Sequence, residues 1–375
     1  MDTNLLGGLS PRQFLNEYWQ KKPLLVRQAM PGFSGLLDHA DLLAMACDPD
    51  VESRLVRRRG DEWELQRGPQ KPGKLRGAKH PWTVLVQGLN LWIPEADTLL
   101  HRFDFIPQAR LDDLMVSYAV DGGGVGPHFD NYDVFLLQGA GKRRWRIGAQ
   151  DDRRLLDDVP LKILKHFTPE FDWVLEPGDM LYLPPHWAHD GVAIGECTTY
   201  SIGFRSPDAQ ELGVEFLGWM QDRLKLEGLY ADPDLELQAN SAQIAPPMID
   251  QVMTMLSAIR WDRADVAAFL GHYLTEPKPQ VYFEPPDEPR SREWFLGAVR
   301  EQGLALDARS LLLFADARFY LNGELLEIAP QHHATMATLA DKRRLPAAAE
   351  LGDGALVDTL YEAYCDGFVH PVHTP

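Results

Sequence analysis

Cysteine is scarce in this sequence. Cys47, Cys197 and Cys365 are spread over 375 residues with no CxxC among them. That speaks against a disulfide framework or a thiolate zinc site, and it fits a reducing cytoplasm. No stretch approaches the roughly 18 apolar residues of a membrane span. The first eight residues have neither a basic start nor a long apolar run, so no signal peptide is expected there. Internal repeats and low-complexity tracts are absent. Positive charge is also short: 37 Lys and Arg stand against 55 Asp and Glu, a net charge of −18. Such a balance repels phosphate backbones and anionic membranes and favours a basic partner.

What is present is ordinary globular material, 45% hydrophobic and 25% charged, with length for two or three modules. Ser10-Pro11 offers an N-cap and N1 pair, after which Phe14, Leu15, Tyr18 and Trp19 fall on one helical face. A short strand is expected at 24–26 and a helix over 41–47. Residues 53–59 and 62–67 read as a hairpin across Gly60-Asp61, and 82–92 as helix. From 114 the texture changes to short strands at 114–120, 128–130, 134–138, 143–147, 173–175, 180–183, 189–192 and 198–204, separated by Gly, Pro and Asp. Eight such strands fit an antiparallel jelly roll or barrel better than alternating βαβ units.

After Pro207 helices return, with Leu212, Phe216, Leu217, Met220 and Leu224 as one stripe and further helices over 248–259 and 263–274. A Pro-rich linker spans 276–289. A small α+β module follows, with a hairpin turning at Asn322-Gly323. The expected division is 1–207, 208–276 and 277–375.

Chemistry concentrates around Gly122-Gly123-Gly124-Val125-Gly126-Pro127-His128-Phe129-Asp130. On a strand, His128 and Asp130 project from the same face. Two such ligands with a third from a later strand make the 2-His-1-carboxylate triad of non-haem Fe(II) oxygenases. His189, 61 positions on, is the best third ligand. HxD alone is weak, since His39-Ala40-Asp41 repeats it at a helix entry and a hydrogen-bonded strand histidine fits it too. Arg143 strengthens it. In Lys142-Arg143-Arg144-Trp145-Arg146-Ile147 the alternation places Arg143 with Trp145 and Ile147 on the apolar face. A guanidinium turned inward wants a carboxylate, which an acid from another strand or a dicarboxylate co-substrate such as 2-oxoglutarate would supply. Ser117 and Thr199 are inward polar residues able to assist. The glycine run allows either close approach to a substrate or a turn. His186 reads as a turn residue, and His332-His333 and His370 with His373 lie outside the barrel.

These residues, with Phe14 to Pro23, Asp113 to Ser117, Gly122 to Gln138, Glu176-Pro177-Gly178-Asp179 and Tyr200 to Arg205, make the sequence similar to the JmjC-type ribosomal oxygenases, in their bacterial arginine-hydroxylase branch. The resemblance implies a double-stranded β-helix core, a helical dimerisation region and a C-terminal winged-helix-like module. It implies iron on His128, Asp130 and His189, and 2-oxoglutarate on Arg143 with Ser117. O₂ would be the oxidant, and the target an arginine β-carbon in a large-subunit ribosomal protein. The wider JmjC group mostly has lysine where Arg143 stands, which argues against a histone demethylase. An acid at the mouth should meet the target guanidinium, with Asp121, Asp133 and Asp190 as candidates. Two alternatives stay open: the same chemistry on a histidyl or asparaginyl residue or as a demethylase, and a non-catalytic cupin-like binding protein. Residues 276–375 carry 9 Lys and Arg against 16 Asp and Glu, so nucleic-acid binding by the C-terminal module is not expected.

Overall fold

The computed structural model describes residues 4–75, 80–349, 351 and 354–372; His373 lies outside them. By contacts the chain divides into two compact units. One comprises Met1–Ser206 with Lys278–Phe283 and Asp307–Arg309, and the other the remainder.

In the first unit, α1 (Pro11–Glu17) starts at Ser10 through a reciprocal capping box with Gln13. It buries Phe14 against Tyr182 and Phe135, at ring separations of 4.9 and 5.5 Å. β1 (Leu24–Val26), α2 (His39–Cys47), β2 (Ser53–Arg59) and β3 (Glu62–Arg67) follow, then β4 (Trp82–Val86) and α3 (Pro94–Leu100). The barrel strands are β5 (Leu111–Ala119), β6 (Val134–Gln138), β7 (Lys142–Ala149), β8 (Phe171–Leu175), β9 (Met180–Leu183), β10 (Trp187–Ile194) and β11 (Cys197–Phe204). They form two antiparallel sheets, ordered β1-β9-β6-β11-β5-β4-β2-β3 and β10-β7-β8. Val134, Leu136, Leu181 and Leu183 of the large sheet pack on Trp145, Ile147 and Leu175 of the small one. The large sheet buries its other face beneath the N-terminal helices, through residues such as Val84, Val116, Tyr200 and Ile202. The result is the jelly-roll core expected from the strand pattern, with long N-terminal cover.

Two expectations need correction. Residues 82–92 are not a helix. Trp82 to Val86 is a fully buried strand between β2 and β5, and Gly88 in the left-handed region then opens a single 3₁₀ turn at Leu89–Leu91. A short apolar run buried on both sides has no alternation to separate strand from helix. Residues 128–130 form no regular strand either. Pro127 offers no N–H, and pairing shrinks to one isolated bridge between His128 and His189.

The second unit opens with α4 (Ala209–Gln221), α5 (Pro246–Leu256) and α6 (Arg263–Thr275). Phe216 and Trp219 of α4 meet Phe269 of α6. Leu224 falls beyond the end of α4, so the expected stripe is shorter by one residue. α7 (Arg292–Gln302), β12 (Leu304–Leu306), β13 (Leu312–Ala315), β14 (Arg318–Leu321), β15 (Glu324–Leu326), α8 (His333–Lys342), β16 (Arg344–Leu345), α9 (Gly354–Cys365) and β17 (Val369–Pro371) make two small sheets and three helices. The β14–β15 hairpin turns at Asn322-Gly323, both at positive φ. Among the described residues no helix is long and apolar enough to cross a membrane.

Candidate active site

Backbone pairing sets the positions of the two histidines. His128 N–H donates to His189 O at 3.0 Å, and His189 N–H returns the bond at 2.9 Å. Each imidazole then ties its Nδ1 to the carbonyl two residues before it, His128 to Gly126 at 2.8 Å and His189 to Trp187 at 2.9 Å. A carbonyl can only accept, so Nδ1 carries the proton and Nε2 is left free as a lone-pair donor. Both Nε2 atoms face Asp130, at 3.8 Å from His128 and 3.5 Å from His189. One ligand atom from each of the three residues lies within 4.8 Å of the other two.

Electrostatics separate the two rings. Burial, aided by neighbouring His189, holds the His128 pKa below the usual imidazole value. Burial also acts to depress His189, but the hydrogen bond and charge of Asp130 outweigh it and the pKa rises. Asp130 is desolvated as well, yet the two imidazoles pull it down to about 2, so it is a carboxylate at neutral pH.

Arg143 lies on the inward face of β7 and is 5% exposed. Its Nη1 donates to Ser117 Oγ at 3.1 Å and Thr199 Oγ1 at 3.3 Å, from residues opposite each other on β5 and β11. Thr199 in turn donates to Gln138 Oε1 at 3.3 Å. Among the described residues no carboxylate forms an ion pair with Arg143, and its Nε has no acceptor. Burial lowers its pKa, which registers the cost of an uncompensated interior cation. Trp145 connects the two ends of the site. Its ring centroid is 6.0 Å from that of His189 and 5.6 Å from the Arg143 guanidinium. Gly191 makes room for it, since a Cβ there would stand 2.7 Å from the indole.

The glycine run serves packing. A Cβ on Gly123 would stand 2.4 Å from Trp82 O, and one on Gly124 2.5 Å from Gly191 O. The close approach these residues permit is therefore to the protein's own backbone.

The three acids proposed for the mouth part company. Asp121 is exposed and accepts from Gly195 N–H at 2.7 Å. Asp133 is wholly buried, its carboxylate taken by Tyr182, Gln20 and Arg110 at 2.5, 2.9 and 3.4 Å. It anchors the N-terminal segment and cannot meet a substrate. Asp190 points from β10 away from His189 and pairs with Arg146 at 2.5 Å, because neighbours on a strand face opposite ways. His186 is an exposed positive-φ turn residue, and His39 begins α2. Sequence reading missed the Gly126 and Trp187 carbonyls and Gln138. The carbonyls leave no trace in a side-chain pattern, and Gln138 is one polar residue closing a buried strand.

A family model described as a JmjC domain matches residues 98–212, and one described as a ROXA-like winged helix matches 258–370. The ribosomal protein uL16 3-hydroxylase of Escherichia coli K12 is 32% identical over 359 residues, covering 95% of each chain. This chain belongs to the JmjC ribosomal oxygenases. A probable ribosomal oxygenase of Haemophilus influenzae is 39% identical over 248 residues, 63% of this chain and 58% of that one. The solved structure of the E. coli ribosomal oxygenase YcfD with cobalt and 2-oxoglutarate superposes with a TM-score of 0.82 at 30% identity, covering 96% of this chain and 98% of that one. In this oxygenase the donor set fits iron. Two neutral imidazoles and a carboxylate converge, with Nε2 atoms already oriented, and a three-residue protein set leaves positions open for co-substrate and O₂.

Proposed function

We propose that this oxygenase binds Fe(II) through His128, Asp130 and His189, binds 2-oxoglutarate through Arg143, and hydroxylates the β-carbon of an arginine in ribosomal protein uL16. One observation carries the site assignment: a buried guanidinium with no carboxylate partner among the described residues, on the same inward surface as the His-Asp-His set. When bound, iron and 2-oxoglutarate supply O₂ activation and the oxidising power for C–H hydroxylation. The protein's part is placement. Arg143 would hold the distal carboxylate with Ser117 and Thr199 completing its hydrogen bonds. The Gly126 and Trp187 carbonyls keep both ligand imidazoles in the ligating tautomer. Trp145 packs with Val134, Leu136 and Leu183 as an apolar floor beside His189 and Arg143, which would keep water from the reacting groups. Asp121, placed between β5 and the glycine run, is the remaining candidate to pair the target guanidinium. A strongly acidic surface also suits a basic ribosomal protein.

The test is mass spectrometry of uL16 incubated with enzyme, Fe(II) and 2-oxoglutarate. One added oxygen on an arginine is expected, with one succinate released per hydroxylation. Oxygen on a histidine or asparagine would move the target, and no succinate under any condition would leave only a binding protein.

The helical segment is proposed to pair two copies of the chain. Val214, Leu217, Ile249, Met253 and Leu256 stand on α4 and α5, with Leu217 and Met253 64% and 63% exposed. Runs of that kind mark interfaces on soluble proteins. Light scattering should give twice the chain mass, and a monomer at micromolar concentration would remove the pairing.

A further inference from the structure

The net charge of −18 conceals local segments of opposite sign, among them the β2–β3 hairpin and the turn after it. Residues 53–75 hold seven Lys and Arg against three Asp and Glu, a local balance of +4. The β2–β3 register sorts these charges by face. Arg57 lies opposite Glu64 and Arg59 opposite Glu62, so one face of the hairpin places its acids across from arginines. The other face carries Arg54 opposite Arg67 and Arg58 opposite Trp63, with no acid. Like charges directly opposite each other are destabilising in a sheet, so this arrangement calls for a neutralising partner from outside.

That cationic face borders the active site. A Cβ placed on Gly126, whose carbonyl holds the His128 ring, would stand 3.2 Å from the tip of Trp63. Arg54 reaches Met115 Sδ at 3.7 Å and Gln87 Oε1 at 2.9 Å, and Met115 is on the Ser117 side of β5. Arg58 lies over the Trp63 ring at 5.2 Å and Arg67 is exposed. None of the three forms an ion pair with a carboxylate among the described residues. For an enzyme whose target is an arginine, a row of arginines beside the entrance has the wrong sign for the target itself. It has the right sign for a polyanion arriving with the target.

We propose that the Arg54, Arg58 and Arg67 face of the β2–β3 hairpin docks the phosphate backbone of RNA, so that the enzyme engages its basic substrate protein while RNA is bound beside it. This rests on the reading of a ribosomal protein as target, since such a protein lies on RNA. Arginine interleaved with an aromatic ring suits RNA better than an acidic peptide, because phosphates can pair with the guanidiniums while a base stacks on the Arg58–Trp63 surface. The whole-chain charge argues against nucleic acid for the rest of the surface, and a local face of this kind confines binding to the entrance.

The experiment is fluorescence anisotropy of a short fluorescein-labelled single-stranded RNA titrated with the full chain. Three phosphate contacts predict roughly a tenfold to twentyfold loss of affinity between about 50 and 200 mM salt. The double variant Arg58→Glu with Arg67→Glu should bind at least tenfold more weakly than wild type. Arg59→Glu, on the face that carries the acids, should change affinity by less than about threefold. Hydroxylation of free uL16 should stay within about twofold in all variants, which also shows that each is folded. Equal losses in both variants would reduce the effect to net charge and overturn the assignment. So would wild-type binding to poly-glutamate peptide with none to RNA, which would make the partner an acidic protein. RNA binding is read without turnover, so a wild type that binds RNA through this face yet hydroxylates no ribosomal protein loses the substrate reading and keeps the docking face.

Discussion

The two faces of β7 carry the same kind of residue in opposite settings. On the outer face Lys142, Arg144 and Arg146 each meet a carboxylate from an adjacent strand or turn: Glu176, Asp172 and Asp190. On the inner face Arg143 meets two hydroxyls and, among the described residues, no carboxylate. The outer cations are neutralised by the fold and contribute little more than register. The inner one is held in place but left charged, which is how a fold reserves a binding energy for a ligand. The β2–β3 hairpin repeats the contrast with acids opposite the arginines on one side and none on the other.

Five changes test that contrast, beginning with the largest effect. His189 and Asp190 are adjacent on β10 and face opposite ways, so His189→Ala should abolish turnover and tight metal retention, measured as iron content after dialysis. A variant that keeps both would sink the ligand assignment. Arg143→Ala should raise the KM for 2-oxoglutarate roughly 100-fold, the loss of about 3 kcal/mol from an enclosed charge-assisted pair. Succinate release against 2-oxoglutarate concentration reads this directly, and an unchanged KM would take Arg143 out of the site.

The third concerns pH. The His189 pKa is raised above its usual 6.5, and a protonated imidazole cannot ligate. Metal affinity should therefore fall with falling pH starting above 6.5, one proton displaced per ion. His128, with a lowered pKa, and Asp130, at about 2, stay deprotonated to lower pH and do not set this limit. Titration calorimetry in buffers of different ionisation enthalpy counts that proton. Smallest are the outer-face changes. Asp190→Ala should cost about 1 kcal/mol, because its partner Arg146 is 40% exposed and turns to water. Arg144→Ala should leave both the melting temperature and the KM unchanged within error. A KM effect from either variant would show that the two faces are coupled.

Much of this arrangement could be read from residue order. Alternation along β7 placed Arg143 inward, the Gly60-Asp61 turn set the hairpin register, and Ser10 with Pro11 marked a helix start. Each depends on neighbours a few residues apart, where backbone geometry alone dictates which side chains share a face. The failures involve distance. β4 is buried on both sides, so its pattern carries no period. Asp133 read as a mouth residue because its partners, Gln20 and Tyr182, are 113 and 49 residues away. His128 and Asp130 converge with His189 through an isolated bridge instead of a shared strand face, so the three residues come together by a geometry that alternation does not describe.

The reciprocal bridge between His128 and His189 has a consequence for iron shortage. Its two hydrogen bonds, and the carbonyl tether on each ring, are made entirely by main chain and imidazole. Nothing in them depends on an ion, so a cell depleted of iron should accumulate this enzyme shaped and idle. Restoring the metal then needs no refolding, and activity can return as fast as iron arrives.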